Sequence, residues 1–170
     1  MTKQLILTAG PKIGKNDVKY VTDAVKNGWN FHHSDYIYRF EEAFAKYIGV
    51  KYALNMPHGT SALHIALVLM GVGPGDEVIV PDFTYVTCAN VVHLVGAKPI
   101  LVDVDRDTWS IDTKKVEQYI TKKTKVIMPA HLYGNVADMD NIRRIAKKHK
   151  LFVLEDACEG LGSMLHWKQV

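Results

Sequence analysis

Residues 151–162 read LFVLEDACEGLG, an apolar run that changes abruptly into acidic residues and glycines. The run at 151–154 has the length and apolar character of a buried β-strand, and the carboxylate of Asp156 follows directly behind it. Open α/β sheets place their ligand-binding groups at the carboxyl ends of the strands. We therefore expect an α/β fold in which Asp156 lies at the functional edge of the sheet.

Short strands alternate with amphipathic helices along the rest of the chain. Helical periodicity predicts helices at 15–26, 38–47, 60–70, 85–94, 113–119 and 139–148. Apolar and β-branched runs predict strands at 52–56, 77–80, 98–102, 125–129 and 151–155. Because short strand–helix–strand connections cross right-handed, we expect a mainly parallel sheet with helices on both faces. The pattern does not reveal the order of the strands.

The composition is that of an ordinary globular protein. The chain has 170 residues, of which 48% are hydrophobic and 23% charged, and this is enough for one domain or a large part of one. The net charge is only +3, and the basic residues at 143–150 share a helix with apolar residues at helical spacing. These basic residues therefore predict a solvated helix face, and we expect no nucleic-acid partner.

No segment indicates export or membrane insertion. The apolar run at 1–7 is too short for a signal peptide, and no later segment approaches the ~20 apolar residues of a membrane span. We therefore expect a cytoplasmic protein that does not enter a membrane.

The cysteines and histidines give no metal-binding pattern. Cys88 and Cys158 lie in apolar contexts without ligand spacing, which predicts buried, reduced thiols with no functional role. The histidines that invite a metal or acid–base interpretation also lack such spacing, and we expect them to be surface, core or sugar-site residues. They are His32, His33, His58, His64 and His131.

A glycine and two hydroxyl residues precede or open the helix predicted at 60–70. Gly59 allows close backbone approach, and Thr60 and Ser61 add hydroxyl groups to the free amides of the first helical turn. With the positive end of the helix dipole, this arrangement suits a phosphate group. Ordinary capping of the helix by Thr60 or Ser61 explains the same residues, and both explanations stay open.

Two further features lie behind predicted strands. Phe83 and Tyr85 follow the strand at 77–80, where a ring serves either as a platform for a planar ligand or as part of the core. Asp156 follows the strand at 151–155, where it pairs with a protonated ring nitrogen, caps a helix or joins a salt bridge. Because the carboxyl ends of parallel strands meet at one edge, we expect that edge to hold a phosphorylated pyridine ring.

Several motifs resemble those of pyridoxal-phosphate enzymes of the aspartate-aminotransferase fold type, and within them the DegT-type aminotransferases of nucleotide-linked keto sugars. These motifs are GW at 28–29, FEEAFAKY at 40–47, GTSAL at 59–63, GPGDEVIVP at 73–81, HLYG at 131–134, DMD at 138–140 and EDA at 155–157. The resemblance covers essentially the whole chain. It implies the N-terminal part of the large cofactor-binding domain, with a helical segment at about 1–50 and without the small C-terminal domain.

The resemblance implies pyridoxal 5'-phosphate as the cofactor. Gly59, Thr60 and Ser61 would hold the phosphate, Tyr85 would stack on the pyridine ring, and Asp156 would pair with the ring nitrogen. Such pairing keeps the ring an electron sink.

Glu159 belongs to the same implied cofactor site and stands where many members of the family carry Gln. The Glu form resembles the perosamine-synthase branch, which aminates a GDP-linked 4-keto-6-deoxymannose. The resemblance thus implies a nucleotide sugar as substrate, glutamate as the amino donor, and a homodimer.

In this family the lysine that forms the Schiff base lies beyond the Asp-Ala motif, and Lys168 follows Asp156 too closely for that role. We therefore expect a fragment without a catalytic residue of its own, inactive alone. Two alternatives remain open: a related sugar 3-dehydratase, which uses histidine in place of the lysine, and a non-catalytic remnant or partner-binding domain.

Overall fold

The chain divides into two units, Met1–Asn55 and Met56–Val170. The computed structural model describes residues 12–170, so the run at 1–7 and the signal-peptide prediction made for it lie outside the described residues. Within residues 12–170, no helix has the length and apolar character needed to cross a membrane.

The first unit contains two amphipathic helices. Helix α1 spans Lys15–Asn27, helix α2 spans Asp35–Ile48, and a short 3₁₀ helix at Asn30–His32 lies between them. Helix α2 ends at Gly49, whose φ of 81° places it in the left-handed region that favours glycine. Both helices agree with the predicted periodicity.

The second unit is built on a four-stranded parallel sheet in the order β2-β1-β3-β4. The strands are β1 (Glu77–Pro81), β2 (Lys98–Val102), β3 (Thr124–Ile127) and β4 (Phe152–Val153). The helices of this unit are α3 (Gly59–Leu69), α4 (Thr87–Leu94), α5 (Thr113–Val116) and α6 (Met139–His149). A small antiparallel hairpin of β5 (Met164–Leu165) and β6 (Lys168–Gln169) follows.

The core lies on both faces of the sheet because side chains alternate along β1. Val78 and Val80 belong to one buried cluster, together with residues of α3 and α4. Ile79 belongs to the other buried cluster, together with residues of α5 and α6. Successive side chains of a strand point to opposite faces, so each face requires its own helical layer. The predicted mainly parallel sheet with helices on both faces is confirmed.

The strand predicted at 52–56 is wrong. Tyr52 and Leu54 are 75% and 76% exposed, and the segment joins no ladder among the described residues. The amide of Asn55 instead donates to the Glu41 carboxylate at 2.8 Å. An apolar run predicts a strand only when a second segment pairs with it, and the sequence pattern does not show the partner.

Several other boundaries differ from the prediction by a few residues, and two of them lie beside the cleft. The helix predicted from residue 85 begins at Thr87, since Tyr85 lies in a turn that accepts the Cys88 amide at 3.1 Å. Strand β4 has two residues, and the pairing continues beyond it only as a single bridge between Ala130 and Asp156.

The strand order places a crevice at the carboxyl ends of β1 and β3. The chain passes from β1 to β2 on one side, then crosses to β3 on the other side of β1. Open α/β sheets bind ligands at such a switch point.

Candidate cofactor site

A cleft of about 270 Å³ opens at the carboxyl ends of the strands. Its walls come from the start of α3 and from the segments that follow β1, β3 and β4. Five of the predicted site residues line it, namely Gly59, Thr60, Tyr85, Asp156 and Glu159. Ser61 lies in the first turn of α3 but is not part of the lining. The roles given to these residues stay predictions.

One end of the cleft is the N-terminus of α3. His58 precedes the helix in an extended conformation, and its carbonyl accepts the Ala62 amide at 3.1 Å. The amides of the first turn have no acceptor within the helix, so they are available to an anion. His58 is the N-cap and makes no side-chain capping bond, so the proposal that Thr60 or Ser61 caps α3 is wrong.

The lack of a side chain at Gly59 leaves room for the side chain of Cys158, a contact that the sequence pattern does not reveal. A Cβ atom on Gly59 would lie 2.6 Å from the sulfur of Cys158, well inside van der Waals contact. Gly59 is helical, so this close approach to Cys158, and not a special backbone conformation, disfavours a side chain at position 59. The prediction of two buried thiols holds for Cys88 and is wrong for Cys158, which is exposed on the cleft.

Asp156 is 9% exposed and is held by its backbone and its side chain. Its amide donates to Pro129 at 2.9 Å, and its carbonyl accepts from His131 at 3.0 Å. The carboxylate accepts the Cys158 amide at Oδ1 and the Cys88 thiol at Oδ2, both at 3.1 Å. It forms no ion pair within the described part of the chain, and it caps no helix there.

The surroundings of Asp156 also affect the pKa values of two nearby thiols, those of Cys88 and Cys158. Burial, reinforced by the Asp156 carboxylate, raises the pKa of Cys88 to about 12. Partial enclosure and the same carboxylate raise the pKa of Cys158 to about 11. Both groups are therefore neutral thiols at physiological pH, and both are free of disulfide bonds.

The rings of the two aromatic residues after β1 have different surroundings. Tyr85 is 68% exposed and lines the cleft, so one face of its ring is open to a ligand. Phe83 instead packs edge-on against Trp109, with ring centroids 5.3 Å apart. Tyr85 is therefore not a core residue, and its role as a ring platform stays a prediction.

Glu159 is oriented by the backbone on the opposite side of the cleft. Its Oε2 accepts the amide of Tyr133 at 2.9 Å. Tyr133 has a φ of 53°, in the left-handed region that is costly for an aromatic residue. The Glu159 carboxylate therefore stabilises an unfavourable backbone conformation beside the cleft.

His131, one of the histidines expected at the surface, in the core or at the sugar site, is buried in the wall of the cleft. The Nδ1 atom of His131 accepts the Ala137 amide at 3.3 Å, so Nε2 carries the proton and donates to Glu155 at 3.1 Å. Arg143 lies 3.4 Å from the same carboxylate. The hydrogen bond from His131, helped by the charge of Arg143, holds the pKa of Glu155 below its ordinary range.

The cleft fits a phosphorylated pyridine ring. The first turn of α3 offers amides and the Thr60 hydroxyl to a phosphate, and Tyr85 offers an open ring face. Each oxygen of Asp156 accepts one protein donor, and a carboxylate oxygen has room for a second. Fold and cleft together match the cofactor-binding part of pyridoxal-phosphate enzymes.

A sequence model of the DegT/DnrJ/EryC1/StrS aminotransferase family matches residues 11–170. The chain therefore belongs to the DegT/DnrJ/EryC1/StrS aminotransferase family, and the resemblance seen in the motifs is confirmed.

Curated relatives act on different sugar nucleotides, as their names state. GDP-perosamine synthase of Caulobacter vibrioides is 48% identical over 96% of this chain and 44% of its own length. GDP-perosamine synthase of Escherichia coli O157:H7 is 42% identical over 94% of this chain and 44% of its own. A UDP-2-acetamido-2-deoxy-3-oxo-D-glucuronate aminotransferase of Pseudomonas aeruginosa is 41% identical over 91% and 45%. The chain thus spans less than half the length of these relatives.

Solved structures share the fold. 3-Amino-5-hydroxybenzoic acid synthase superposes with a TM-score of 0.90 at 36% identity, over 95% of this chain and 42% of its own. A sugar aminotransferase of Streptococcus pneumoniae, in its pyridoxal-phosphate form, gives 0.84 at 32% identity, over 92% and 44%. GDP-4-keto-6-deoxymannose-3-dehydratase gives 0.85 at 26% identity, over 95% and 43%. Pyridoxal phosphate is thereby confirmed as the cofactor of the family.

The contact at Gly59 predicts a dependence between two substitutions. Gly59→Ala should lower the free energy of unfolding by about 1–3 kcal/mol, because its methyl group overlaps the Cys158 sulfur. In a Cys158→Ala background the sulfur is gone, and the same substitution should cost clearly less. Urea unfolding of the parent, both single variants and the double variant measures the coupling. If Gly59→Ala lowers the free energy of unfolding equally in the parent and in Cys158→Ala, this contact is contradicted.

The lowered pKa of Glu155 predicts a pH dependence of stability. A carboxyl with a depressed pKa stabilises the fold at pH values above its ordinary 4.5, and this contribution is lost as the pH falls through the depressed value. Glu155→Gln should therefore be less stable near neutrality and lose less stability on acidification.

Urea midpoints across a pH series measure this effect. The exposed Glu42→Gln on α2 is the matched control and should follow the parent curve. If Glu155→Gln also follows the parent curve, the His131–Glu155 pair does not stabilise the fold.

Proposed function

We propose that this chain forms the cofactor-binding part of a pyridoxal-phosphate-dependent aminotransferase. In this proposal the amino group passes from glutamate to a GDP-linked 4-keto-6-deoxy sugar, as in perosamine synthesis. The observation that carries the proposal is the convergence of the α3 N-terminus, the open Tyr85 ring and the buried Asp156 carboxylate in one cleft. The identities of 48% and 42% to two GDP-perosamine synthases support the choice of sugar.

Each group of the cleft has a separate task in this proposal. The amides of Gly59 and Thr60 donate to the phosphate, where the helix dipole favours negative charge. Tyr85 supports the flat ring and excludes water from one face, while the Asp156 carboxylate accepts a hydrogen bond from the protonated ring nitrogen. When bound, the cofactor supplies an electron sink that stabilises negative charge next to the transferred nitrogen.

The proposal also covers Glu159 and the catalytic lysine. Glu159 lines the cleft, and the Tyr133 amide orients its carboxylate. Among the residues that the structure describes, no lysine lines the cleft. We therefore propose that these 170 residues alone bind the cofactor without completing amino transfer. The homodimer and the cytoplasmic location stay predictions.

A sugar 3-dehydratase is the second candidate function. Its support is the superposition with GDP-4-keto-6-deoxymannose-3-dehydratase, which has a TM-score of 0.85. The two functions differ in the residue at the Schiff-base position, lysine in the aminotransferase and histidine in the dehydratase. The higher identity to aminotransferases favours the first.

Titration with pyridoxal phosphate tests the cofactor proposal directly. The parent chain should bind pyridoxal phosphate, and binding should change the fluorescence of Trp29, Trp109 and Trp167. Equilibrium dialysis, read by the absorbance of the cofactor, should show the same binding. Asp156→Ala should weaken binding by about 1.5–3 kcal/mol, the value of a charge-assisted hydrogen bond. Asp107→Ala, which removes an exposed carboxylate outside the cleft, should bind like the parent.

Two outcomes would count against this proposal. A parent chain that does not bind pyridoxal phosphate would leave only the non-catalytic alternative. Equal affinity of Asp156→Ala and the parent would remove Asp156 from the cofactor site.

A chimera tests the substrate proposal. Residues 12–170 replace the matching N-terminal segment of the Caulobacter vibrioides enzyme, to which this chain is 48% identical. The chimera should take up pyridoxal phosphate and aminate GDP-4-keto-6-deoxymannose with glutamate, as measured by mass spectrometry of the sugar nucleotide. A matched chimera is built on the Pseudomonas aeruginosa UDP-sugar enzyme. If only this second chimera transferred an amino group, to a UDP-linked sugar, the GDP-sugar assignment would be contradicted.

A further inference from the structure

Three polar side chains, of Thr84, Cys88 and Asp156, form a line that begins and ends at the wall of the cleft. The hydroxyl of Thr84 lies 3.4 Å from the sulfur of Cys88, and that sulfur lies 3.1 Å from Oδ2 of Asp156. Cys88 is fully buried in α4 and belongs to the apolar cluster between the helices and the sheet. We propose that Cys88 is a positioning residue, whose S–H bond to Asp156 fixes the carboxylate in the orientation that receives the cofactor's ring nitrogen. This inference rests on the function proposed above.

The direction of these hydrogen bonds follows from the groups themselves. An ionised carboxylate only accepts hydrogen bonds, so the proton shared by Cys88 and Asp156 belongs to the sulfur. Burial raises the pKa of the thiol to about 12, which keeps that proton in place at neutral pH. Since the single thiol proton points to Asp156, the Thr84 hydroxyl donates to the sulfur.

Two anchors fix the plane of the Asp156 carboxylate. The thiol of Cys88 donates to Oδ2, and the amide of Cys158 donates to Oδ1. Because the donors hold different oxygens, rotation of the carboxylate breaks at least one bond. Removal of the thiol donor leaves a single anchor, about which the carboxylate is free to turn.

Cys88 also connects the carboxylate to the aromatic platform. Its backbone amide donates to the carbonyl of Tyr85 at 3.1 Å, while its side chain reaches Asp156. Cys88 thus contacts both the turn that carries Tyr85 and the carboxylate of Asp156. A thiol suits this position because it packs like a small apolar group and still carries a weak donor.

The S–H stretching band of the cofactor-free protein tests the hydrogen bond itself. The chain has 2 cysteines, so Cys158→Ala leaves Cys88 as the single source of this band. The band should lie at the lower frequency of a bonded thiol, and adding Asp156→Ala should move it to that of a free thiol. An unchanged band would overturn the proposal, whether or not the chain binds pyridoxal phosphate.

Equilibrium binding of pyridoxal phosphate tests the positioning role. Cys88→Ala should weaken binding about fivefold, as expected for a weak donor, while Cys88→Ser keeps a donor and should stay within about twofold of the parent. Val91→Ala is the control, since it opens space at a buried position of the same helix away from the carboxylate. It should lower the melting temperature without weakening binding at temperatures where it is folded.

The outcomes separate the two proposals. Unchanged affinity of Cys88→Ala, or equal weakening by Val91→Ala, would overturn the positioning role while the cofactor proposal stands. A parent chain that does not bind pyridoxal phosphate overturns the cofactor proposal and the positioning role with it. The S–H band still decides whether Cys88 holds Asp156.

Discussion

The site depends on one short stretch of backbone pairing between Asp156 and the segment that follows β3. The Asp156 amide donates to the Pro129 carbonyl, and the Asp156 carbonyl accepts the His131 amide. These two bonds extend the sheet by one bridge past the two residues of β4. Successive side chains of an extended strand point to opposite faces. Glu155 consequently reaches Arg143 on α6, and Asp156 reaches Cys88 on α4.

The neighbouring carboxylates of Glu155 and Asp156 therefore have different electrostatic environments. Glu155 is balanced by a guanidinium and a histidine N–H, whereas Asp156 has a thiol and an amide as its partners. Asp156 and Glu159 both line the cleft and neither forms an ion pair among the described residues, while the start of α3 adds a positive partial charge. A ligand with a positive ring nitrogen and an anionic group complements both. This charge pattern follows from the pleat of one strand and the direction of one helix.

The sequence predicted the layers of the fold because alternation and periodicity are local properties. It failed at 52–56, since pairing needs a second segment, and the strand order was likewise a long-range property. Asp156 was predicted because it follows the apolar run at 151–154, whereas the roles of Gly59 and Tyr85 came from turn chemistry and from the family resemblance. Cys88 and Cys158 carried no signal, for the contact of Cys88 with Asp156 joins residues 68 positions apart in the chain. A lone cysteine in an apolar stretch looks the same whether or not a carboxylate lies above it.

The acidity of the thiols has a consequence for chemical compatibility. Thiolates add readily to aldehydes, and pyridoxal phosphate carries its reactive carbon as an aldehyde. Cys158 lines the cleft, yet its pKa of about 11 leaves almost no thiolate at neutral pH. Partial burial, reinforced by the Asp156 carboxylate, thus keeps the nucleophilic form of this sulfur scarce beside the site proposed for an aldehyde.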